Sequence, residues 1–223
     1  MKIKAIVTGT TGMVGEGVLL TALNHPDVES VLSISRKPCG ITHPKLKEII
    51  HKDFLDITPL QNEIKGYDAC FFCLGVSSLG MKEEDYKKVT YHLTIHFAEV
   101  LARCNPQMTF CYISGEGTDS TEKGKLMWAR VKGKTENDLT KLPYKAAYNF
   151  RPGFIKPVDG QKYAFKIAVA AGKIYPLLKL ILRNHICTCE DIGRAMINAS
   201  INGYEKTILE NADIELLASR KKR

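Results

Sequence analysis

Short apolar runs alternate with helix-like periodicity along the first two thirds of the chain. Lys4-Ala5-Ile6-Val7 runs into Thr8-Gly9 and reads as a strand entering a loop. Met13 to Leu23 reads as a helix, stopped near Asn24-His25-Pro26. Val31 to Ile34 and the weaker Leu46 to Ile50 read as the second and third strands. Ala69 to Leu74 is a continuous apolar run, the pattern of a strand buried on both faces of a parallel sheet. A long helical stretch, Glu83 to Cys104, precedes Pro106. Thr109 to Ile113 then reads as a strand, Lys125 to Leu139 as a helix and Ala146 to Phe150 as a strand. Strands separated by helices imply right-handed crossovers. The expected fold is therefore α/β, a doubly wound parallel sheet of Rossmann type in three α/β/α layers. One domain over residues 1–223 is expected, with a small substrate-side region from about residue 152, where the pattern becomes less regular.

Length and composition fit that picture. The chain has 223 residues, 44% hydrophobic and 25% charged, which suits one globular domain and not a disordered one. The net charge of +8 is spread along the chain, and only Arg220 to Arg223 form a basic run. That run reads as a solvated tail, so no nucleic-acid partner is expected. The most apolar late stretch, Phe165 to Leu182, is broken by Lys166, Lys173, Pro176 and Lys179. It is too interrupted for a membrane span and reads as a lid over a ligand. No signal peptide is visible, and seven cysteines at irregular spacing read as reduced thiols. Together these point to a cytoplasmic protein, a monomer or homodimer.

The sharpest chemical signal is Thr8-Gly9-Thr10-Thr11-Gly12-Met13-Val14-Gly15. Its glycines stand three apart between the first strand and the first helix. In such a loop Gly9 permits the tight turn, Gly12 lets the backbone approach a pyrophosphate, and Gly15 lets helix and strand pack closely. Amide groups of Thr11, Gly12, Met13 and Val14 at the helix start would face the anion. Beyond the second strand stands Ser35-Arg36-Lys37, with no carboxylate there. An acidic residue at that place suits the 2′-hydroxyl of NAD; Arg36 and Lys37 suit the 2′-phosphate of NADP. NADP is therefore the expected cofactor, NAD less so. Asp53-Phe54 after the third strand can contact the adenine edge or cap a helix. Leu74 and Gly75 close the fourth strand, where a glycine lets the backbone pass near the cofactor.

These segments, with Ile113-Ser114 and Arg151-Pro152-Gly153, resemble the atypical and extended branches of the short-chain dehydrogenase/reductase superfamily, including its epimerase/dehydratase-like members. Val131 to Glu136 and Leu209 to Ile214 resemble more closely the Tat-interacting oxidoreductase-like proteins, an NADPH-binding subgroup. The resemblance implies a cofactor site bordered by Arg151, Pro152 and Gly153. It also implies that Ser114 holds a substrate oxygen and that Lys132 binds the nicotinamide ribose. The superfamily's acid/base tyrosine falls at Trp128, four residues before Lys132 on one helix face. Indole cannot exchange a proton at an accessible pKa. Either another group substitutes, with Tyr86, Tyr91, Tyr112 and Glu116 as candidates, or the usual carbonyl reduction is absent. The expected function is thus an NADP-dependent oxidoreductase on an unidentified small molecule, or alternatively a non-catalytic NADPH-binding redox sensor or interaction protein.

Three further patterns carry no chemistry on this reading. Cys70 and Cys73 lie at odd separation in a strand and point to opposite faces. Cys187 and Cys189 have no further ligand spaced to complete a zinc site. His92 and His96 read as a helix face, and no metal is expected.

Overall fold

The computed structural model describes residues 2–158, 160–164, 182 and 184–220. Seven parallel strands form the main sheet: β1 (Ile3–Thr8), β2 (Val28–Ser35), β3 (Leu46–Ile50), β4 (Ala69–Phe72), β5 (Thr109–Ile113), β6 (Ala146–Arg151) and, in chain order after two short strands, β9 (Ile208–Glu210). Their order is β3-β2-β1-β4-β5-β6-β9. The reversal between β1 and β4 opens a crevice at the carboxyl ends of the strands, the usual ligand position in doubly wound sheets.

Side-chain alternation explains the continuous apolar runs. In β4, Ala69 and Phe71 join one buried cluster, and Cys70 and Phe72 join another on the opposite face. The first cluster packs the sheet against α1 (Met13–Asn24), with Val18 and Leu19, and against two late helices. The second packs it against α3 (Leu93–Cys104), through Phe97, Val100 and Leu101, and against Leu139 at the end of α4 (Met127–Leu139). Both faces are covered by helices, which gives the expected three layers. Cys70 belongs to one cluster and Cys73 packs against the other, so their thiols do point apart.

The structure departs from the sequence reading in three places. β4 stops at Phe72, because the Cys73 N–H turns to the Thr8 hydroxyl (3.2 Å). The Glu83 to Cys104 helix is divided: α2 (Glu83–Lys87) and α3 are joined by a π-helical turn, Lys88–His92. Most of the described chain beyond Pro152 is also more regular than expected. β7 (Phe154–Lys156) and β8 (Ile186–Thr188) form a two-stranded parallel sheet. α5 (Cys189–Asn202), β9 and α6 (Asn211–Ser219) then return to the main core. Ile192, Ala195, Met196 and Ala199 of α5 repeat at helical spacing and are buried against the α1 side. The apolar face of these elements therefore belongs to the scaffold that packs the main sheet. A capping box, Thr188 with Asp191, starts α5 and was readable as a helix signal.

The expected lid, residues 165–182, lies outside the described residues apart from Leu182, as does the basic tail beyond Arg220. Among the described residues no helix is long and apolar enough to cross a membrane.

Candidate functional site

The glycine loop is held from below. Gly9 has φ 70°, and a Cβ there would stand 2.5 Å from the Cys73 carbonyl oxygen, so the chain just after β4 requires a glycine. The Gly9 carbonyl accepts from Gly12 N (2.9 Å) and closes the turn. A Cβ on Gly15 would overlap that same carbonyl. Gly12 differs: its backbone is extended, φ −123°, and a Cβ would meet its nearest neighbour at 3.4 Å. The glycine at 12 is thus demanded not by the fold but by open space above the loop. The Thr10 and Ser33 hydroxyls, 2.9 Å apart and buried, tie the loop to β2. Among the described residues no side chain caps the amino end of α1. The orphan first-turn amides of Met13, Val14 and Gly15, with the exposed Gly12, make a cradle that fits a pyrophosphate.

Arg36 and Lys37 are exposed at the end of β2, in a turn shaped by the Ser35 hydroxyl donating to the Lys37 carbonyl (2.6 Å). The sequence reading missed two neighbours. The Lys162 ammonium lies against Gly40 of the following loop. Glu48, one strand over, accepts from Cys39 N (2.9 Å) and lies 3.5 Å from the Ser33 hydroxyl. The Asp53 carboxylate accepts from Leu55 N (2.9 Å) and so caps a turn. The Phe54 ring is buried, 5.9 Å from that of Phe97, leaving only its main chain for an adenine edge. Among the described residues nothing lies within 4 Å of the place of a Cβ at Gly75.

At the far side of the crevice, the Lys132 ammonium donates to the Ser114 carbonyl, which brings two of the expected residues together. Burial lowers the Lys132 pKa to about 8, with the Glu136 carboxylate acting in the opposite direction. The Ser114 hydroxyl is buried and donates to the Phe150 carbonyl (3.1 Å). Trp128 occupies the first turn of α4, and its six-membered ring faces Gly117 across 3.6 Å from the place of a Cβ.

Arg151 is engaged elsewhere. Its guanidinium meets Glu136 through two nitrogens (Nε–Oε1 3.0 Å, Nη2–Oε2 2.5 Å), Glu210 at 3.2 Å and the Ser120 hydroxyl at 2.5 Å. It clamps α4, β6 and β9 together. Pro152 and Gly153 support the loop after β5: the Pro152 carbonyl accepts from Glu116 N (3.0 Å).

The candidates for the missing tyrosine separate clearly. Tyr112 and Tyr86 are buried, which raises their hydroxyl pKa values. The Tyr91 hydroxyl donates to Asp138 (2.8 Å), on the outer side of α4. Only Glu116 stands on the loop that follows Ser114, half exposed and paired with His185, a residue the sequence reading did not single out.

An uncapped helix behind a glycine turn, a crevice at the strand reversal and a half-buried lysine beside the serine that follows β5 define a dinucleotide-binding protein of extended short-chain dehydrogenase/reductase type. The model of the NAD dependent epimerase/dehydratase family matches residues 5–125, and the chain belongs to that family. Among curated relatives, "Protein FMP52-1, mitochondrial" of Scheffersomyces stipitis is 26% identical over 153 residues, 68% of this chain and 66% of its own. "Protein fmp52, mitochondrial" of Aspergillus clavatus is 29% identical over 212 residues, 88% of this chain and 86% of its own. The chain thus spans just under two thirds of the Scheffersomyces relative's length. Of solved structures, the ADP-L-glycero-D-manno-heptose-6-epimerase of Helicobacter pylori superposes with a TM-score of 0.68 at 16% identity, over 96% of this chain and 80% of that one. WbmF of Bordetella bronchiseptica, in complex with NAD+, gives 0.65 at 14%, over 96% and 77%. At such identity the likeness is one of fold. The relatives' names overturn one expectation: they are called mitochondrial, against the cytoplasmic placement read from cysteine usage and the first residues. Reduced thiols do not separate the two compartments, since both are reducing relative to the secretory route.

Proposed function

We propose that this chain is an NADP(H)-dependent oxidoreductase acting on a small carbonyl or hydroxyl compound, and that it works in the mitochondrion, as its relatives' names suggest. The observation that carries the reading is the uncapped amino end of α1 above Gly12, where a glycine serves open space and not the fold. In this reading Met13 and Val14 hold the pyrophosphate by their amides, with Gly12 leaving room for it, while Arg36 and Lys37 take the 2′-phosphate. Lys132 holds the nicotinamide ribose, and Ser114 orients the substrate side through the main chain it anchors. The bound nicotinamide supplies hydride chemistry; the protein supplies orientation and polarity.

Titration of NADPH and NADH by nucleotide fluorescence tests the reading. A charge-assisted phosphate contact contributes about 1.5–3 kcal/mol, so NADPH should bind on the order of tenfold more tightly or better. Arg36→Ala should reduce NADPH affinity and leave NADH affinity alone. Equal affinities for both nucleotides count against NADP, and no binding of either sinks the whole reading. The resemblance favours a second reading, a nucleotide sensor without turnover, because it puts Trp128 at the position of the superfamily's tyrosine. NADPH that binds and is never oxidised by any carbonyl would favour it.

A further inference from the structure

Glu116 and His185 are far apart in sequence, 69 residues, yet the His185 Nδ1 and the Glu116 Oε1 share a hydrogen bond. Three main-chain features build this pair. Glu116 N donates to the Pro152 carbonyl (3.0 Å), and Phe154 N donates to the His185 carbonyl (2.7 Å). Gly153, between them, has no room for a side chain: a Cβ would stand 2.5 Å from Glu116 Oε2 and overlap the His185 carbonyl. Gly115 and Gly117, both at positive φ (139° and 81°), let the chain turn on either side of Glu116. The turn that the sequence presents as a cofactor contact is thus the seat of a carboxylate–imidazole pair.

The placement matters. The pair stands two residues beyond Ser114, at the carboxyl end of β5, on the loop against which the Trp128 ring packs. The carboxylate accepts from Nδ1, which fixes the tautomer and leaves Nε2 as the free nitrogen. Among the described residues Nε2 has no partner, and the ring is half exposed. An incidental surface ion pair would need none of this supporting backbone.

We propose that Glu116 and His185 form the proton-transfer pair of this protein, in place of the tyrosine that Trp128 replaces, with His185 Nε2 exchanging the proton with the substrate oxygen. The proposal rests on the NADP(H) reading above. In the reducing direction the substrate carbon gains a hydride from the bound dihydronicotinamide, forming a C–H bond as the C=O π bond opens. The oxygen takes the Nε2 proton of the imidazolium. The nicotinamide is oxidised, the carbonyl becomes an alcohol, and the half-exposed ring recovers its proton from water.

The full chain is tested in two ways. Long-range nitrogen–proton correlation spectra of the histidine rings report the tautomer without any turnover. In the wild type the neutral His185 ring should carry its proton on Nδ1, and Glu116→Gln should relax that preference. A neutral ring protonated on Nε2 in the wild type overturns the proposal. Single-turnover oxidation of bound NADPH by nitrobenzaldehyde or phenanthrenequinone gives the second readout. His185→Ala should slow hydride transfer by about 10²-fold or more, the usual worth of acid–base help, and added imidazole should restore part of the rate. Glu116→Gln should slow it less, and both variants should bind NADPH as the wild type does. A His185→Ala protein as fast as the wild type overturns the proposal, as does a wild type that binds NADPH and reduces neither probe. Failure of the wild type to bind NADPH strikes the cofactor reading instead.

Discussion

Two glycines of one loop answer to different demands, and substitution separates them. Gly15→Ala would drive a methyl into the Gly9 carbonyl and should cost about 1–3 kcal/mol in urea unfolding, as overpacking does. Gly12→Ala meets only a 3.4 Å neighbour; it should leave stability nearly unchanged and weaken NADPH binding sharply. Comparable destabilisation by both would refute the assignment of Gly12 to the ligand. Lys132 provides a second test at this scale. Its pKa is about 8 in the folded protein, against about 10.4 for a free lysine. Between those values the unfolded chain binds more protons, so this group's contribution makes stability rise with pH. The wild type minus Lys132→Met difference in unfolding free energy should therefore grow by on the order of 2–3 kcal/mol from about pH 7 to about pH 10.5. A flat difference would mean that the ammonium is solvated. The glycine loop was legible because all its parts lie within eight neighbouring residues. His185 was not, because its meaning comes from Glu116, on a loop reached only after folding.

Among elements, the strands were the easiest to read, since burial on both faces writes unbroken apolar runs such as Ala69 to Phe72. β9 escaped because three residues carry no periodicity. The Arg151-Pro152-Gly153 turn was recognised as a motif and given the wrong partner, because sequence does not say that Glu136 and Glu210 flank the guanidinium. That clamp is testable. The Glu136 side chain is only 1% exposed, so Glu136→Gln should leave the Arg151 charge half-matched in the interior and cost about 3–5 kcal/mol. Replacing both with apolar residues should recover much of that loss in a double-mutant cycle. An additive cycle would show that the pair holds nothing together. Thr188→Ala should cost about 1 kcal/mol through the lost cap of α5.

For the whole molecule, the α/β/α class followed from the order of elements, and the family from local motifs spread along it. Cellular placement did not follow, since reduced thiols are equally at home in two compartments. Trp128 is the sole tryptophan of the chain, so its emission reports on one place. It should be quenched when NADPH binds, and unchanged emission would remove it from the nicotinamide side.

The contact between α1 and α5 sets a condition on how the molecule comes into being. The Cys189 thiol reaches the Met13 carbonyl at 3.7 Å across 176 residues of chain, and a Cβ on Gly17 would strike the Cys189 side chain. An early helix is thus covered by a much later one. During synthesis the face of α1 that carries Gly17 and Thr21 stays uncovered until α5 has left the ribosome. Closing so long a loop is slow, because its entropy is spent before any contact repays it. Until then the nascent chain presents an uncovered helix face beside unpaired strand edges. A chain wired this way is open to aggregation for longer than one whose neighbours in space are neighbours in sequence.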